Sequence, residues 1–351
     1  MVTPFGLPGR GGPTNPADRA ATRGRRAGPD KLPRSMSEKI KTGIAGCGYL
    51  GRHHARILTE LSLSEPVGFV EPNDAMAAEI EGKYGPLGLV RCRTVGELLD
   101  RGATAVVVAT PTSTHAEVAQ ELLEGGADVM VEKPMTVTLD EADRLIAIAR
   151  ERKRVLQVGH IERFNPAVVA VLPLVTEPKF IEAHRLGVFV PRALDVDVVL
   201  DLLVHDLDIA LEIVKKPVTA IHAVGVPILS RKVDIASIRL EFEGGCVANL
   251  TASRVSTEKT RKFRFFQPDW YFSIDTQKRD VTAYRLDRMS GPPRIMEWPV
   301  AVAPADPLTA EDGTFLEACR DRTEPAVTGE AGRAALKLAL DIQEEVRRRI
   351  G

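Results

Sequence analysis

The sequence predicts an α/β protein: a doubly wound parallel sheet in the N-terminal half, then an α+β domain with a mostly antiparallel open sheet. Three observations predict it. Short Val-, Ile- and Ala-rich runs alternate with stretches of helical length from Lys39 to about Gly159, the pattern of a parallel sheet covered by helices. A Gly-x-Gly-x-x-Gly motif follows the first of these runs. Beyond Gly159 the rhythm changes to one long apolar helix and then a series of strand-length segments.

The first-half strands are expected at Ile40–Ala45, Pro66–Val70, Leu89–Cys92, Ala105–Ala109, Val129–Val131 and Val155–Val158. Thr94 with Glu97, Thr114 with Glu117, and Thr138 with Glu141 have the spacing of capping boxes and predict helix starts. In the second half the apolar helix is expected over Val198–Val214. Strands follow at Ala220–Val226, Ala236–Phe242, Cys246–Ala252, Phe263–Phe266, Trp270–Ile274 and Thr282–Leu286, and helices at Thr309–Cys319 and Glu330–Arg349.

At 351 residues the chain suits about two domains. The expected division is a nucleotide-binding domain over 37–159, a substrate and oligomerisation domain over 160–329, and a C-terminal helix over 330–351 packing back on the body. Residues 1–36, rich in Pro, Gly and Arg without apolar periodicity, read as a disordered tail or an over-long start with Met36 as the first native residue. An Arg-rich leader of this kind also fits a transit peptide.

Forty-seven basic against 48 acidic side chains leave a net charge of -1, which points to neither a nucleic-acid nor a membrane-surface partner. No apolar run has the roughly 18 residues of a membrane span. The four cysteines, Cys47, Cys92, Cys246 and Cys319, are far apart and lack metal-ligand spacing. They read as reduced cytosolic thiols, with no metal site.

Gly46-Cys47-Gly48-Tyr49-Leu50-Gly51 carries the glycine motif between the first strand and the first helix, where backbone amides and the helix N-terminus can cradle a pyrophosphate. Glu71 ends the second strand 20 residues after Gly51, placed to accept the ribose hydroxyls of NAD and to repel the 2'-phosphate of NADP. It equally suits an ordinary strand-end surface acid. Glu132-Lys133-Pro134 follows the fifth strand at the carboxyl edge of the sheet, where ligands bind in open α/β folds. An ammonium there can stand beside a reacting hydroxyl; a solvated Glu-Lys pair is the plainer reading. Asp201 and His205 are four apart, on one side of the expected helix, an arrangement that suits a general base and its orienting carboxylate or merely a polar edge.

Taken with Ala109-Thr110-Pro111-Thr112-Ser113-Thr114-His115, these ordered motifs resemble the Gfo/Idh/MocA family, the relatives of glucose-fructose oxidoreductase and inositol dehydrogenase. The likeness runs from Lys39 to the C-terminus. It implies a Rossmann domain, NAD as cofactor, and Lys133, Asp201 and His205 as the catalytic lysine, aspartate and histidine. Glu71, Thr110, Pro111, His115, Glu132, Lys133 and Pro134 then line the cofactor together with Gly46, Gly48, Tyr49, Leu50 and Gly51.

The stretches Val158–Pro166, His184–Leu186 and Asp195–Asp201 resemble the sugar-nucleotide branch of the family, the UDP-N-acetylglucosamine 3-dehydrogenases, whose 3-keto product is transaminated toward diamino lipid A. That implies a UDP-sugar substrate, with Arg163, Asn165, Arg185 and Arg192 as substrate-binding residues and the three arginines expected at its diphosphate. The arginines can also be structural ion-pair partners. The implied mechanism has His205 removing the hydroxyl proton while Lys133 stabilises the alkoxide and the hydride passes to the nicotinamide. Two alternatives remain open: a dehydrogenase of a free polyol, inositol or other cyclic compound, and a non-catalytic NAD-sensing regulator, which would have no need of all three catalytic groups. The resemblance also implies a homodimer or homotetramer joined through the exposed face of the second sheet.

Overall fold

Six parallel strands, β1 (Ile40–Ala45), β2 (Ser64–Val70), β3 (Arg91–Cys92), β4 (Ala105–Val108), β5 (Asp128–Glu132) and β6 (Leu156–Gly159), form one sheet in the order β3-β2-β1-β4-β5-β6. The computed structural model describes residues 39–190, 196–289 and 291–350, and Ser35–Gly351 make one compact unit. The expectation for residues 1–36 and that for Arg192 fall outside the described residues. All of β4 and β5 is buried, as strands covered on both faces must be, and their Val-rich sequences suit that environment. The strand order reverses between β1 and β4, so the loops after these two strands diverge and open a crevice at the carboxyl edge.

Helices α1 (Gly51–Glu60), α2 (Asp74–Tyr84), α3 (Val95–Asp100), α4 (Thr112–Glu124) and α5 (Leu139–Arg152) connect these strands. Thr94 caps α3 through the Glu97 amide, and Thr138 with Glu141 forms a complete reciprocal capping box on α5. Thr114 does not cap. α4 begins two residues earlier at Thr112 behind Pro111, and the Thr114 hydroxyl donates back to Thr110 and to the Pro111 carbonyl.

The second sheet has eight strands: β7 (Phe180–Leu186), β8 (Val218–Val226), β9 (Ile235–Phe242), β10 (Val247–Ser253), β11 (Thr260–Gln267), β12 (Trp270–Asp275), β13 (Asp280–Asp287) and β14 (Arg294–Trp298). Their order is β14-β13-β12-β11-β7-β10-β9-β8; only the β7–β10 pair is parallel. β7 and β14 lie outside the expected strand set. Helices α6 (Pro166–Val171), α7 (Val204–Val214) and α9 (Gly329–Ile350) cover one face, with Ile209, Ile213, Leu338 and Ile342 packed against Ile181, Ile238, Phe263 and Phe265. The expected helix over Val198–Val214 is broken in kind: Val199–Leu203 is a π turn, and the α-helical bonding starts at Val204.

Helix α8 (Pro307–Asp321) lies in the stretch expected to belong with the second sheet. Yet its Phe315, Leu316 and Cys319 pack with Ile44, Leu58 and Phe69 in the core of the first. Among the described residues no helix is long and apolar enough to cross a membrane.

Candidate functional site

The loop after β1 is shaped by glycines that tolerate no side chain. Gly46 has φ +87°, and a Cβ there would come within 2.6 Å of the Thr110 amide nitrogen; a Cβ on Gly51 would overlap the carbonyl oxygen of Gly46. Gly48 between them faces open space, with only Met76 Cε at 3.9 Å. Leu50, the residue before α1, offers no side-chain cap; the Arg52 and His53 amides close onto the Gly48 and Leu50 carbonyls at 3.2 and 2.8 Å, so the helix meets an anion through its dipole and the glycine loop before it. Tyr49 stands exposed at the loop tip, edge-on to His53, with the Arg52 guanidinium over its ring.

Glu71 is no surface acid. It is buried, its Oε2 accepts the Cys47 amide at 2.8 Å, and its Oε1 accepts the Asn73 amide at 2.9 Å. Each oxygen keeps a second acceptor site, so the carboxylate both rigidifies the glycine loop and remains able to receive ribose hydroxyls. Burial, and after it the Glu71 charge, pushes the Cys47 thiol up to about 12. The bare cradle and this acid fit NAD on their own geometry.

His115 fastens the neighbouring loops. Buried in α4, it reaches the Thr110 carbonyl through Nε2 (2.8 Å) and the Pro134 carbonyl through Nδ1 (3.0 Å), and so spans from the loop after β4 to the loop after β5. Burial lowers its pKa, partly offset by those two carbonyls. Thr110, Pro111, His115 and Pro134 are thus brought together, with the Lys133–Pro134 peptide in the cis form.

Glu132, expected to line the cofactor, turns its carboxylate into the fold. Its Oε1 meets His54 Nε2 at 3.0 Å, and its Oε2 accepts the Lys133 amide at 3.2 Å. His54 in turn meets Asp312 Oδ1 of α8 at 2.8 Å through Nδ1. Burial disfavours charge on this imidazole, but Asp312 and Glu132 outweigh it and hold its pKa well above the ordinary value.

Glu311 lies beside them, fully buried, with neither carboxylate oxygen hydrogen-bonded. Burial, then the Glu132 charge, raises its pKa far above the usual carboxylate range. His54, Glu132 and Glu311 each place a ligand-type atom within 4.8 Å of the others. Both His54 nitrogens already face carboxylates, so the set reads as an imidazolium bound between acids. Nothing in the sequence marked it, because the partners are 78 and 258 residues apart.

Lys133 leaves the end of β5 and reaches the second domain. Its Nζ donates to the main-chain oxygen of Asp201 at 2.8 Å and lies 3.9 Å from the Asp201 carboxylate. His205 follows in α7, half-buried, with Nδ1 enclosed and without a hydrogen-bond partner. Burial first, then the charges of Lys133 and Arg185, hold its pKa well below 6.5, so the imidazole is neutral at neutral pH.

Asp201 makes no hydrogen bond to His205 among the described residues, which corrects the expected orienting role. The four-residue spacing assumed an α-helix; Asp201 lies in the π turn, whose i to i+5 bonding unstacks positions four apart. His160, immediately after β6, is a buried neighbour the motif reading passed over. Its charge bears on His205, and its own Nδ1 is also unpartnered.

The residues expected at the substrate are committed elsewhere. Arg185 is buried and grips both oxygens of Asp206 at 2.8 Å, with a third bond of 2.8 Å to Glu162. Arg163 pairs with Glu212 at 2.7 Å and Asp208 at 3.5 Å. Asn165 caps α6 and donates to the Thr276 carbonyl at 2.8 Å. Both arginines are thus ion-pair partners within the fold.

Residues 40–160 match the oxidoreductase family with an NAD-binding Rossmann fold, and residues 181–269 match the Gfo/Idh/MocA C-terminal domain. The chain belongs to the Gfo/Idh/MocA family. It is an NAD-binding oxidoreductase by that membership. Within the family it is 37% identical over 313 residues to UDP-N-acetylglucosamine 3-dehydrogenase of Acidithiobacillus ferrooxidans, spanning 88% of this chain and 97% of the relative. A solved structure of that enzyme superposes with a TM-score of 0.81 at 36% identity, covering 88% of this chain and 98% of the other. The scyllo-inositol 2-dehydrogenase (NAD(+)) of Bacillus subtilis is 27% identical over 63% of this chain and 69% of the relative. Levoglucosan dehydrogenase, in complex with NADH and levoglucosan, shares the fold at 17% identity, with a TM-score of 0.78 over 89% of this chain and 98% of that one.

Proposed function

We propose that this chain oxidises a ring hydroxyl of a sugar nucleotide, the 3-OH of UDP-N-acetylglucosamine, to the 3-keto sugar. The observation that carries the reading is the meeting of Lys133 and His205 at the carboxyl edge of the cofactor sheet, in a chain 37% identical to an enzyme of that name. NAD, when bound, supplies the two-electron acceptor.

The residues do the rest. His205, kept neutral by burial and neighbouring cations, takes the hydroxyl proton. The Lys133 ammonium, fixed by the Asp201 carbonyl, stabilises the negative charge that develops on the substrate oxygen. The Asp201 carboxylate supports that ammonium and leaves the imidazole free. His115 and Glu132 hold the lysine's loop to the cofactor loops, so that reacting groups and cofactor share one frame.

The 3-keto product has the carbonyl that an aminotransferase requires, in keeping with a place in lipid A biosynthesis. Four unbridged, buried cysteines suit the cytoplasm. A row of rings on the outer face of the second sheet, Phe180, Phe266, Tyr271 and Tyr284 at 4.8–6.1 Å centroid spacings, supports assembly of a homodimer or homotetramer through that face.

A substrate panel tests the reading: NAD reduction is expected with UDP-N-acetylglucosamine and not with free N-acetylglucosamine, scyllo-inositol or myo-inositol. Lys133→Ala and His205→Ala are each expected to lose orders of magnitude in turnover while NAD still binds. Preferential oxidation of a free polyol would replace the substrate, and near-normal turnover in either variant would remove the assigned role.

A further inference from the structure

With Arg163, Asn165 and Arg185 committed to the fold, the substrate's anionic part must be met by something else. On the strand pairing, Arg261 of β11 stands directly opposite Arg185 of β7, on the face that turns toward α7. Like charges directly opposite across a sheet are unfavourable unless each finds an anion. Arg185 takes Asp206 and Glu162. Arg254, another buried arginine nearby, takes Asp234 at 3.0 Å. Arg261 has no carboxylate among the described residues: its Nη1 donates to the main-chain oxygens of Leu186 (2.5 Å) and Thr260 (3.0 Å).

Those two bonds pin the guanidinium and leave its other edge, Nε and Nη2, without a partner. That edge is the planar fork that matches two oxygens of a phosphate group. It is not sealed inside the fold, because Arg261 is only half-buried on β11 and its Nη2 neighbour is the side-chain-free Gly187. The charge is also felt by the proposed base: Arg261 bears electrostatically on His205, and is itself influenced by Asp206, Glu162 and Asp201.

We propose that Arg261 is the anion anchor of the substrate site, and that its free Nε–Nη2 edge receives the diphosphate of the nucleotide-linked sugar. This rests on the sugar-nucleotide reading above. Burial, then the adjacent Arg185, depress the Arg261 pKa by more than the charges of Asp206, Glu162 and Asp201 raise it. An anion bound there relieves the Arg185–Arg261 repulsion, so the apo protein gives up some stability to keep the anchor charged.

The test is a calorimetric titration of UDP into NAD-saturated wild type, Arg261→Gln and Arg261→Lys, beside KM for UDP-N-acetylglucosamine, Kd for NAD, and melting temperature. Arg261→Gln is expected to weaken UDP binding and raise KM by about tenfold or more, the loss of charge-assisted bonds. NAD affinity should stay within about twofold and the melting temperature should not fall, because a repulsion has been removed. Arg261→Lys should recover part of the UDP affinity, keeping the charge but losing the fork.

Unchanged UDP affinity in Arg261→Gln overturns the anchor. So does a joint loss of UDP binding, NAD binding and melting temperature, which marks a structural residue. Wild type that binds UDP through Arg261 but does not oxidise UDP-N-acetylglucosamine supports the anchor and rejects the substrate; wild type that does neither overturns both.

Discussion

Glu311→Gln isolates a proton that the fold is built to keep. Both Glu311 oxygens are buried without a hydrogen bond, beside Glu132 and Asp312, and burial with those charges holds its pKa well above 4.5. A raised folded-state pKa means stability that is complete below the unfolded value of 4.5 and is lost as pH rises toward the folded value. In that window the native state holds a proton that the unfolded state has released. Wild type therefore loses about 1.4 kcal/mol per pH unit from this group. Glutamine, nearly the same shape and unable to ionise, does not.

The stability of Glu311→Gln relative to wild type should accordingly rise by about 1.4 kcal/mol for each pH unit above 4.5 until the folded value is reached. With a urea dependence of about 3 kcal/mol per molar, the gap between the two midpoints widens by about 0.5 M per unit. Urea unfolding of both proteins between pH 5 and 8 measures it. Midpoints that run parallel across that range would show that Glu311 is ionised in the native protein, and the protonated-acid argument would fail.

Arg185→Met strands Asp206 and Glu162 inside the fold and should cost about 3–5 kcal/mol in urea unfolding. The molecules that remain folded should keep their KM for the sugar nucleotide; a selective rise in KM without destabilisation would restore Arg185 to the substrate site. Gly51→Ala drives a methyl group into the Gly46 carbonyl and should abolish NAD binding, unfold the cofactor domain, or both. A soluble variant with wild-type NAD affinity would contradict the glycine argument. Because burial and Lys133 lower the His205 pKa, loss of activity on acidification should fall below pH 6.5 in kcat/KM for the free enzyme. A midpoint at or above 6.5 would refute the neutral-base assignment.

Much of the first sheet was legible because its central strands are apolar throughout: burial on both faces leaves β4 and β5 no polar positions except at the ends of β5. β7 escaped because one of its three inward positions is Arg185, and a buried cation breaks the alternation that would reveal a strand. β14 is exposed along its whole length and presents no buried face to read. Thr114 had the spacing of a cap, but Pro111 fixes an earlier start.

The glycine loop and its acid were readable because the first βα unit and the strand after it place them in a fixed order: Gly46 and Gly51 make the tight turn, and Glu71 at the end of β2 accepts the Cys47 amide. The environment of Lys133 was not. His54, Glu311 and Asp312 come to the preceding Glu132 from α1 and from a distant helix, and the π turn that governs Asp201 leaves no mark in residue spacing. Arg185 and Arg261 illustrate the same limit: the register of β7 on β11 sets them opposite each other, and only the tertiary ion pairs to Asp206 and Glu162 show that Arg185 already has its acids.

Lys133 is held by an atom that every residue possesses. Its 2.8 Å bond runs to the main-chain oxygen of Asp201, whereas the carboxylate stands off at 3.9 Å. Address and charge are thereby separable. An Asp201→Asn chain keeps the ammonium at its post and removes a negative charge beside it, so a lineage drifting at this position changes the field around its lysine before misplacing it.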